Sequence, residues 1–225
     1  MTSHDRSAET RVVVFARAPE PGATKTRLIP LLGAAGAAAL HGLLIERTLA
    51  TALAAGVGPV ELWCAPSALH PLLYAYIQRH GIDGVTQCEG DLGVRMHHAA
   101  VSTLATAPRM LLVGTDCPAL TAADLRAAAG ALETHHDAVL IPAEDGGYVL
   151  FGLKWWDARL FNDIVWGGDQ VLAATRARLQ ALEWRWCELP PLWDVDRPQD
   201  FIRLQQSGLI PDLAQALNLP RGPEL

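Results

Sequence analysis

Clustered basic charge is what this chain of 225 residues most lacks. Eighteen Lys and Arg stand against 24 Asp and Glu, for a formal net charge of -6. A broad surface for a nucleic-acid polymer needs a stripe of Lys and Arg, so that partner class is excluded. A small phosphate ligand held by a few local cations is not. Cysteine is also sparse: Cys64, Cys88, Cys117 and Cys187 are scattered, with no CxxC pair. A zinc site or a disulfide framework is therefore not expected, and the four read as reduced thiols. Apolar runs are broken by charge and Gly well before the ~20 residues of a membrane span, and no signal-peptide pattern is seen. The expectation is a cytoplasmic protein with no membrane partner. Internal repeats, low-complexity linkers, the GxxxxGK[ST] phosphate loop and GxGxxG are likewise missing.

What is present is a globular composition, half hydrophobic and 19% charged, of a length suited to one domain with a substantial core. That domain is placed at 11–217, between polar tails at 1–10 and 218–225. Buried strands are predicted at Arg11–Ala16, Val60–Ala65, Val85–Cys88, Arg109–Val113, Ala138–Pro142 and Val149–Leu153, with a half-exposed one at Trp184–Leu189. Helical spacing predicts helices over Gly33–Ala55 and Leu69–His80. Asp91, Thr121 and Asp169 are predicted to cap further helices, Thr121 together with Asp124 as a capping box. Strands alternating with helices read as an α/β fold with a mostly parallel sheet.

In an open parallel sheet, ligands bind beyond the carboxyl ends of strands. Asp116, in Gly114-Thr115-Asp116-Cys117-Pro118, is a carboxylate at such an end. The loop after the first strand carries Arg17, Lys25 and Arg27 beside two prolines and Gly22. Cations and backbone amides in such a loop suit phosphate, though a solvated basic loop is the plainer reading. Arg95, one turn after Asp91, either reaches a phosphate or sugar or pairs with Asp91. Glu144-Asp145-Gly146-Gly147 is either a hairpin turn or a ligand loop whose glycines let amides approach, the second being favoured. Trp166 either stacks on a base or sugar or belongs to the core. Asp194 and Asp196 lie two apart in extended chain. One is a candidate partner of Asp116 on a divalent ion, and Asp196 could equally cap the helix opening at Pro198.

The segments FARAPEPGATKTRL, GDLGVRM, GTDCPAL, PAEDGGYVLFGL, Trp166-Gly167 and DVDRPQD, taken together, resemble the glycosyltransferase-A-like family called "transferase 1, radical-SAM/selenodomain-associated". That family is distantly similar to the guanylyltransferases for molybdenum cofactor and 2-phospholactate. The resemblance spans Val14 to Asp200 and implies a Rossmann-like, three-layer nucleotide-diphospho-sugar transferase fold. It implies phosphate or nucleotide binding by Ala16, Arg17, Lys25, Thr26, Arg27, Arg95, Gly146 and Gly147, with Lys25 and Asp116 central to catalysis. Asp116 and Asp196 would hold Mg²⁺ or Mn²⁺, and Asp91, Glu144, Asp145, Trp166 and Asp194 would touch substrate. One departure matters: the nucleotidyltransferases open with a glycine-rich loop, whereas this loop has Pro19, Pro21 and only Gly22. The expected activity is nucleotidyl or glycosyl transfer from a nucleotide or nucleotide-sugar to an unnamed acceptor. A non-catalytic nucleotide-sensing domain is the alternative, and a second copy of the chain stays open as a partner.

Overall fold

β-branched and apolar runs make the centre of the molecule. The computed structural model describes residues 9–211 and 213–217. The tails expected at 1–10 and 218–225 therefore fall almost wholly outside the described residues. Strands β1 (Thr10–Arg17), β2 (Val60–Ala65), β3 (Asp83–Thr86), β4 (Arg109–Val113), β5 (Ala138–Pro142), β6 (Tyr148–Leu153) and β7 (Trp186–Glu188) form a seven-stranded sheet in the order β3-β2-β1-β4-β6-β5-β7. The β1–β2, β1–β4, β2–β3 and β5–β7 pairs are parallel. Strand β6 runs antiparallel to both β4 and β5, so the sheet is mostly parallel. It also means that β5 does not neighbour β4, as chain order alone suggests, because β6 lies between them.

The helices are α1 (Ile29–Ala55), α2 (Pro71–His80), α3 (Leu92–Leu104), α4 (Ala122–Glu133), α5 (Val171–Ala181), α6 (Pro198–Ser207) and α7 (Leu213–Ala216). Side chains alternate across a strand. Val12 and Val14 accordingly face α1, α2 and α4 through Ile45, Leu49, Leu73, Ile77, Leu125 and Leu132. Val13 faces α3 and α5 through Met96, Ala99, Leu172 and Leu179. The result is three layers. A third cluster joins the start of α1 to α6 and α7, with Leu28, Leu40, Val195 and Phe201 at its centre. Helix α1 begins earlier than its spacing predicts, at Ile29, and its turn is interrupted at Gly33, where φ is +68°. Its segment Thr26–Ala55 is long and apolar enough to cross a membrane by length and composition, but half of that apolar window is buried inside the fold.

The crossovers set the location of the site. From β1 the chain steps outward to β2 and β3, then returns by α3 to β4 on the other side of β1. The crevice beyond the carboxyl ends of β1 and β4 is therefore a topological switch point. There the loop after β1 and the Gly114–Pro118 segment after β4 meet.

Candidate functional site

Strand β4 delivers Asp116 to this crevice three residues past its end. The Asp116 carbonyl accepts from the Val195 amide at 2.8 Å, which brings the late acidic loop 192–196 alongside. The loop is pinned further by the Leu192 amide on the Pro142 carbonyl and the Glu144 amide on the Leu192 carbonyl. Arg203 of α6 completes the anchor: its guanidinium lies 4.5 Å from the Trp193 ring centroid and grips Glu144 in two bonds of 2.7 and 3.1 Å. That grip holds the exposed Glu144 carboxyl below its ordinary range, and occupies a residue expected to touch substrate.

The basic loop folds onto the same acidic segment. Lys25 adopts a left-handed backbone, φ +49°, and buries its side chain to 4% exposure. Its Nζ stands 2.6 Å from Asp116 Oδ1 and donates to the Val195 carbonyl at 2.5 Å. Arg27 pairs with Asp196. Thr26 stays exposed in the short turn between them. Asp196 is thus turned towards Arg27. It does not cap α6 either: the free amides there, of Asp196 and Arg197, are taken by Asp200.

Asp194 faces Asp116. With Asp116, Asp145, Gly147 and Tyr148 it lines a cavity of about 140 Å³. Burial pushes the Asp194 carboxyl up to about 6, and the neighbouring Asp145 and Asp116 charges add to the shift. For Asp116, burial acts upward too, but the Lys25 ammonium and His41 outweigh it and hold the carboxyl below its ordinary value. Its side chain as a whole is 50% exposed, while Oδ1 itself is buried and makes no hydrogen bond of good angle. His41, on the buried face of α1, sits behind: Nε2 bonds to the Arg17 carbonyl at 3.1 Å, and Nδ1 stands 3.9 Å from Asp116 Oδ1.

At the β1 end, Arg17 is exposed, and its guanidinium makes no hydrogen bond or ion pair among the described residues. Ala16 is buried in β1, its carbonyl accepting from Gln87 Nε2. Asp91 caps α3 by accepting from the Val94 amide at 2.9 Å. Arg95 does not pair with the Asp91 carboxylate: it donates to the Asp91 carbonyl and to Gln87 Oε1, each at 3.2 Å. Trp166 packs over the start of α3, its indole so close that a Cβ at Gly93 would lie 2.5 Å from Nε1.

Gly146 and Gly147 form a hairpin turn between β5 and β6 and not the favoured ligand loop. The Gly146 amide donates to the Ala143 carbonyl and the Gly147 amide to Asp145 Oδ1, so neither points at a ligand. Gly146 has φ +93°, and a Cβ there would lie 2.2 Å from the Asp169 carbonyl oxygen. This close approach is the physical reason for glycine. Asp169 lays its backbone against Gly146 while the residue stays exposed, and the cap of α5 is Gln170, with no side-chain bond.

A second, polar cavity of about 530 Å³ adjoins the first through Asp145 and Asp194. Six carboxylates line it, Glu144, Asp145, Asp169, Asp194, Asp196 and Asp200, against Arg27 and Arg197. Among the described residues no three His, Cys, Asp or Glu side chains already form a cation cage. The donor set nevertheless suits a hard divalent ion: the Asp116 carboxylate, half exposed and met on Oδ1 by Lys25, faces a second carboxylate whose charge is disfavoured as things stand.

Sequence reasoning missed His41, Gln87 and Arg203. A lone His within the apolar spacing of α1 was the available signal for the first. Nothing local marks the other two.

A family model described as "Uncharacterized protein conserved in bacteria (DUF2064)" matches residues 48–168. That span holds Asp91, Arg95, Asp116 and Gly146, and leaves out Lys25, Asp194 and Asp196. No curated protein matches the chain. Among solved structures, one from Desulfovibrio desulfuricans G20, provisionally named a nucleotide-diphospho-sugar transferase, is 27% identical with a TM-score of 0.82, covering 92% of this chain and 91% of that one. A CMP:2-keto-3-deoxy-manno-octonic acid synthetase complexed with CTP is 12% identical at TM-score 0.57, covering 89% and 98%. The glucosyl-3-phosphoglycerate synthase of Mycobacterium tuberculosis, in complex with Mn²⁺, UDP and glucosyl-3-phosphoglycerate, is 12% identical at TM-score 0.54, covering 96% and 83%. At such identities the last two speak for the fold alone. The finer kinship, to radical-SAM-associated transferases and to guanylyltransferases, goes beyond these matches.

Proposed function

This chain belongs to the bacterial DUF2064 family, and on that premise we propose that it is a divalent-metal-dependent transferase acting on a nucleotide or nucleotide-sugar. One observation carries the reading. At the switch-point crevice, Asp116 faces Asp194 on one side and the Lys25 ammonium on the other. The solved transferase 27% identical to it supports the reaction class, and a manganese complex among structures of this fold supports the cation.

Asp116 and Asp194 are the residues that would hold Mg²⁺ or Mn²⁺, with Asp196 held back by Arg27. The ion supplies charge neutralisation at the departing phosphate. Without it, the Lys25 ammonium is the counter-charge of Asp116, and a phosphate entering the crevice competes with Asp116 for that ammonium. Arg17 and Arg95 offer fork-shaped donors to phosphate oxygens. The acceptor belongs in the polar cavity beyond Asp194. Six carboxylates there accept from hydroxyls and repel phosphate, which favours a hydroxyl acceptor over a phosphate one. No covalent enzyme intermediate is required. Residues 11–217 would act as one domain, in the cytoplasm.

The test is thermal stabilisation by each nucleoside triphosphate and nucleotide-sugar, with and without Mn²⁺, followed by product analysis. Release of pyrophosphate identifies nucleotidyl transfer, and release of nucleoside diphosphate identifies glycosyl transfer. Metal-dependent stabilisation with no turnover over a broad acceptor panel would identify a sensing domain. No stabilisation by any of them would end the proposal.

A further inference from the structure

Gln87 follows β3 and is 8% exposed. Its backbone amide extends the sheet, donating to the Cys64 carbonyl at 2.9 Å. Its side-chain amide spans two strand ends, donating through Nε2 to the Trp63 carbonyl at 2.7 Å and the Ala16 carbonyl at 3.4 Å. Carbonyl oxygens can only accept, so these two partners fix which way the amide points. The NH₂ is turned inward and Oε1 outward, where it meets Arg95 Nη1 at 3.2 Å.

Arg95 is thereby held by neutral acceptors at both ends of its guanidinium, the Asp91 carbonyl and Gln87 Oε1. Asp91 turns Oδ1 to the Val94 amide and forms no ion pair with Arg95. The second guanidinium belongs to Arg17, the residue after Ala16, so the one amide of Gln87 ties Arg95 to the end of β1 from which Arg17 projects; among the described residues Arg17 makes no hydrogen bond or ion pair. Burial and then Arg17 lower the Arg95 pKa, and the nearby Cys88 and Asp91 offset only part of that. Folded proteins pair such charges unless a ligand does so. A surface arginine would swing away from its like-charged neighbour, and the rigid amide of Gln87 prevents that.

We propose that Gln87 is a positioning residue that fixes Arg95 beside Arg17 as a two-guanidinium clamp for the diphosphate of a bound nucleotide. This rests on the nucleotide reading of the crevice and adds the residue that shapes its anion site. Gln87 touches no reacting atom and acts through Arg95.

Inorganic pyrophosphate, titrated calorimetrically into the full chain without metal, is the probe. Gln87→Ala is expected to weaken its binding about tenfold, the worth of one hydrogen bond to a charged group, and Arg95→Ala at least as much. The double variant should bind no more weakly than Arg95→Ala alone, because the effect of Gln87 passes through Arg95. A merely structural role predicts losses that add. Where Gln87→Ala loses its native circular dichroism, Gln87→Met, which fills the same volume, replaces it. A thioether at this place offers Arg95 no comparable acceptor and should cost the anion about tenfold. Additive losses, unchanged affinity in Gln87→Ala or Gln87→Met, or no pyrophosphate binding by the wild-type chain each overturn the clamp. Metal-dependent stabilisation by nucleotides is judged separately, so the clamp can fail while the transferase reading survives.

Discussion

Replacing Gly146 by Ala separates a packing glycine from a ligand-binding one. The added Cβ would stand 2.2 Å from the Asp169 carbonyl oxygen and 2.7 Å from its carbon, both backbone atoms that cannot rotate aside. The turn is also tied to α5 by the Leu172 amide on the Gly146 carbonyl at 2.9 Å, so it cannot slide away cheaply. An L-residue at φ +93° adds backbone strain of about 1–2 kcal/mol, and overpacking adds about 1–3 kcal/mol. For a chain of this size each kcal/mol moves Tm by about 2–4 °C, so a fall of about 10 °C is expected. Gly130→Ala is the control. It lies inside α4 with nothing within 4 Å of the new Cβ, and Ala there should stabilise by about 0.5–1 kcal/mol. Melting followed by far-ultraviolet circular dichroism reads both. A Tm for Gly146→Ala within about 2 °C of wild type would refute the close-approach argument and reopen the glycine pair as a ligand loop.

Asp116→Asn should abolish Mn²⁺-dependent nucleotide stabilisation while the fold stays native, because the amide oxygen still accepts from Lys25; retained stabilisation would remove Asp116 from the metal site. Lys25→Ala should weaken nucleotide affinity yet leave Mn²⁺ binding in the absence of nucleotide as strong or stronger, since no ammonium competes for Asp116. Electron paramagnetic resonance of free Mn²⁺ checks this, and weaker metal binding would contradict it. Burial pushes the thiols of Cys64 and Cys117 up to about 12, so at pH 8 only about one molecule in ten thousand carries either thiolate. Iodoacetamide should therefore label the part-exposed Cys88 first in the native protein; early modification of Cys64 or Cys117 by mass spectrometry would count against their burial.

Features governed by a few neighbouring residues were legible in the sequence. The alternation of Val12, Val13 and Val14 and the fully apolar Ala138–Ile141 are strand signals on their own, and both strands formed. Asp91 caps α3 and Thr121 opens α4 with Asp124, because a cap bonds only within the first turn. Boundaries were less secure: β3 begins at Asp83, two residues before Val85, where pairing with β2 outweighs a weak local pattern. Asp169 fails to cap α5 although its residue type suits the role, since its backbone is packed under Gly146.

Sequence alone determined the α/β class, the strand-end carboxylate Asp116 and the cationic loop after β1. Those follow from apolar periodicity and from where strands stop. Tertiary structure decided which of these groups meet. It set Asp194 and not Asp196 against Asp116, because Arg27 takes Asp196 and the Val195 amide bonds the Asp116 carbonyl. It buried Lys25 on a partner 91 positions away, and placed Gln87 under Arg95 through the ends of β1 and β2. Such contacts depend on strand order and crossover direction, which chain-local chemistry does not encode. Asp116 itself was visible from the start, and its neighbours became visible only once β1 and β4 lay side by side.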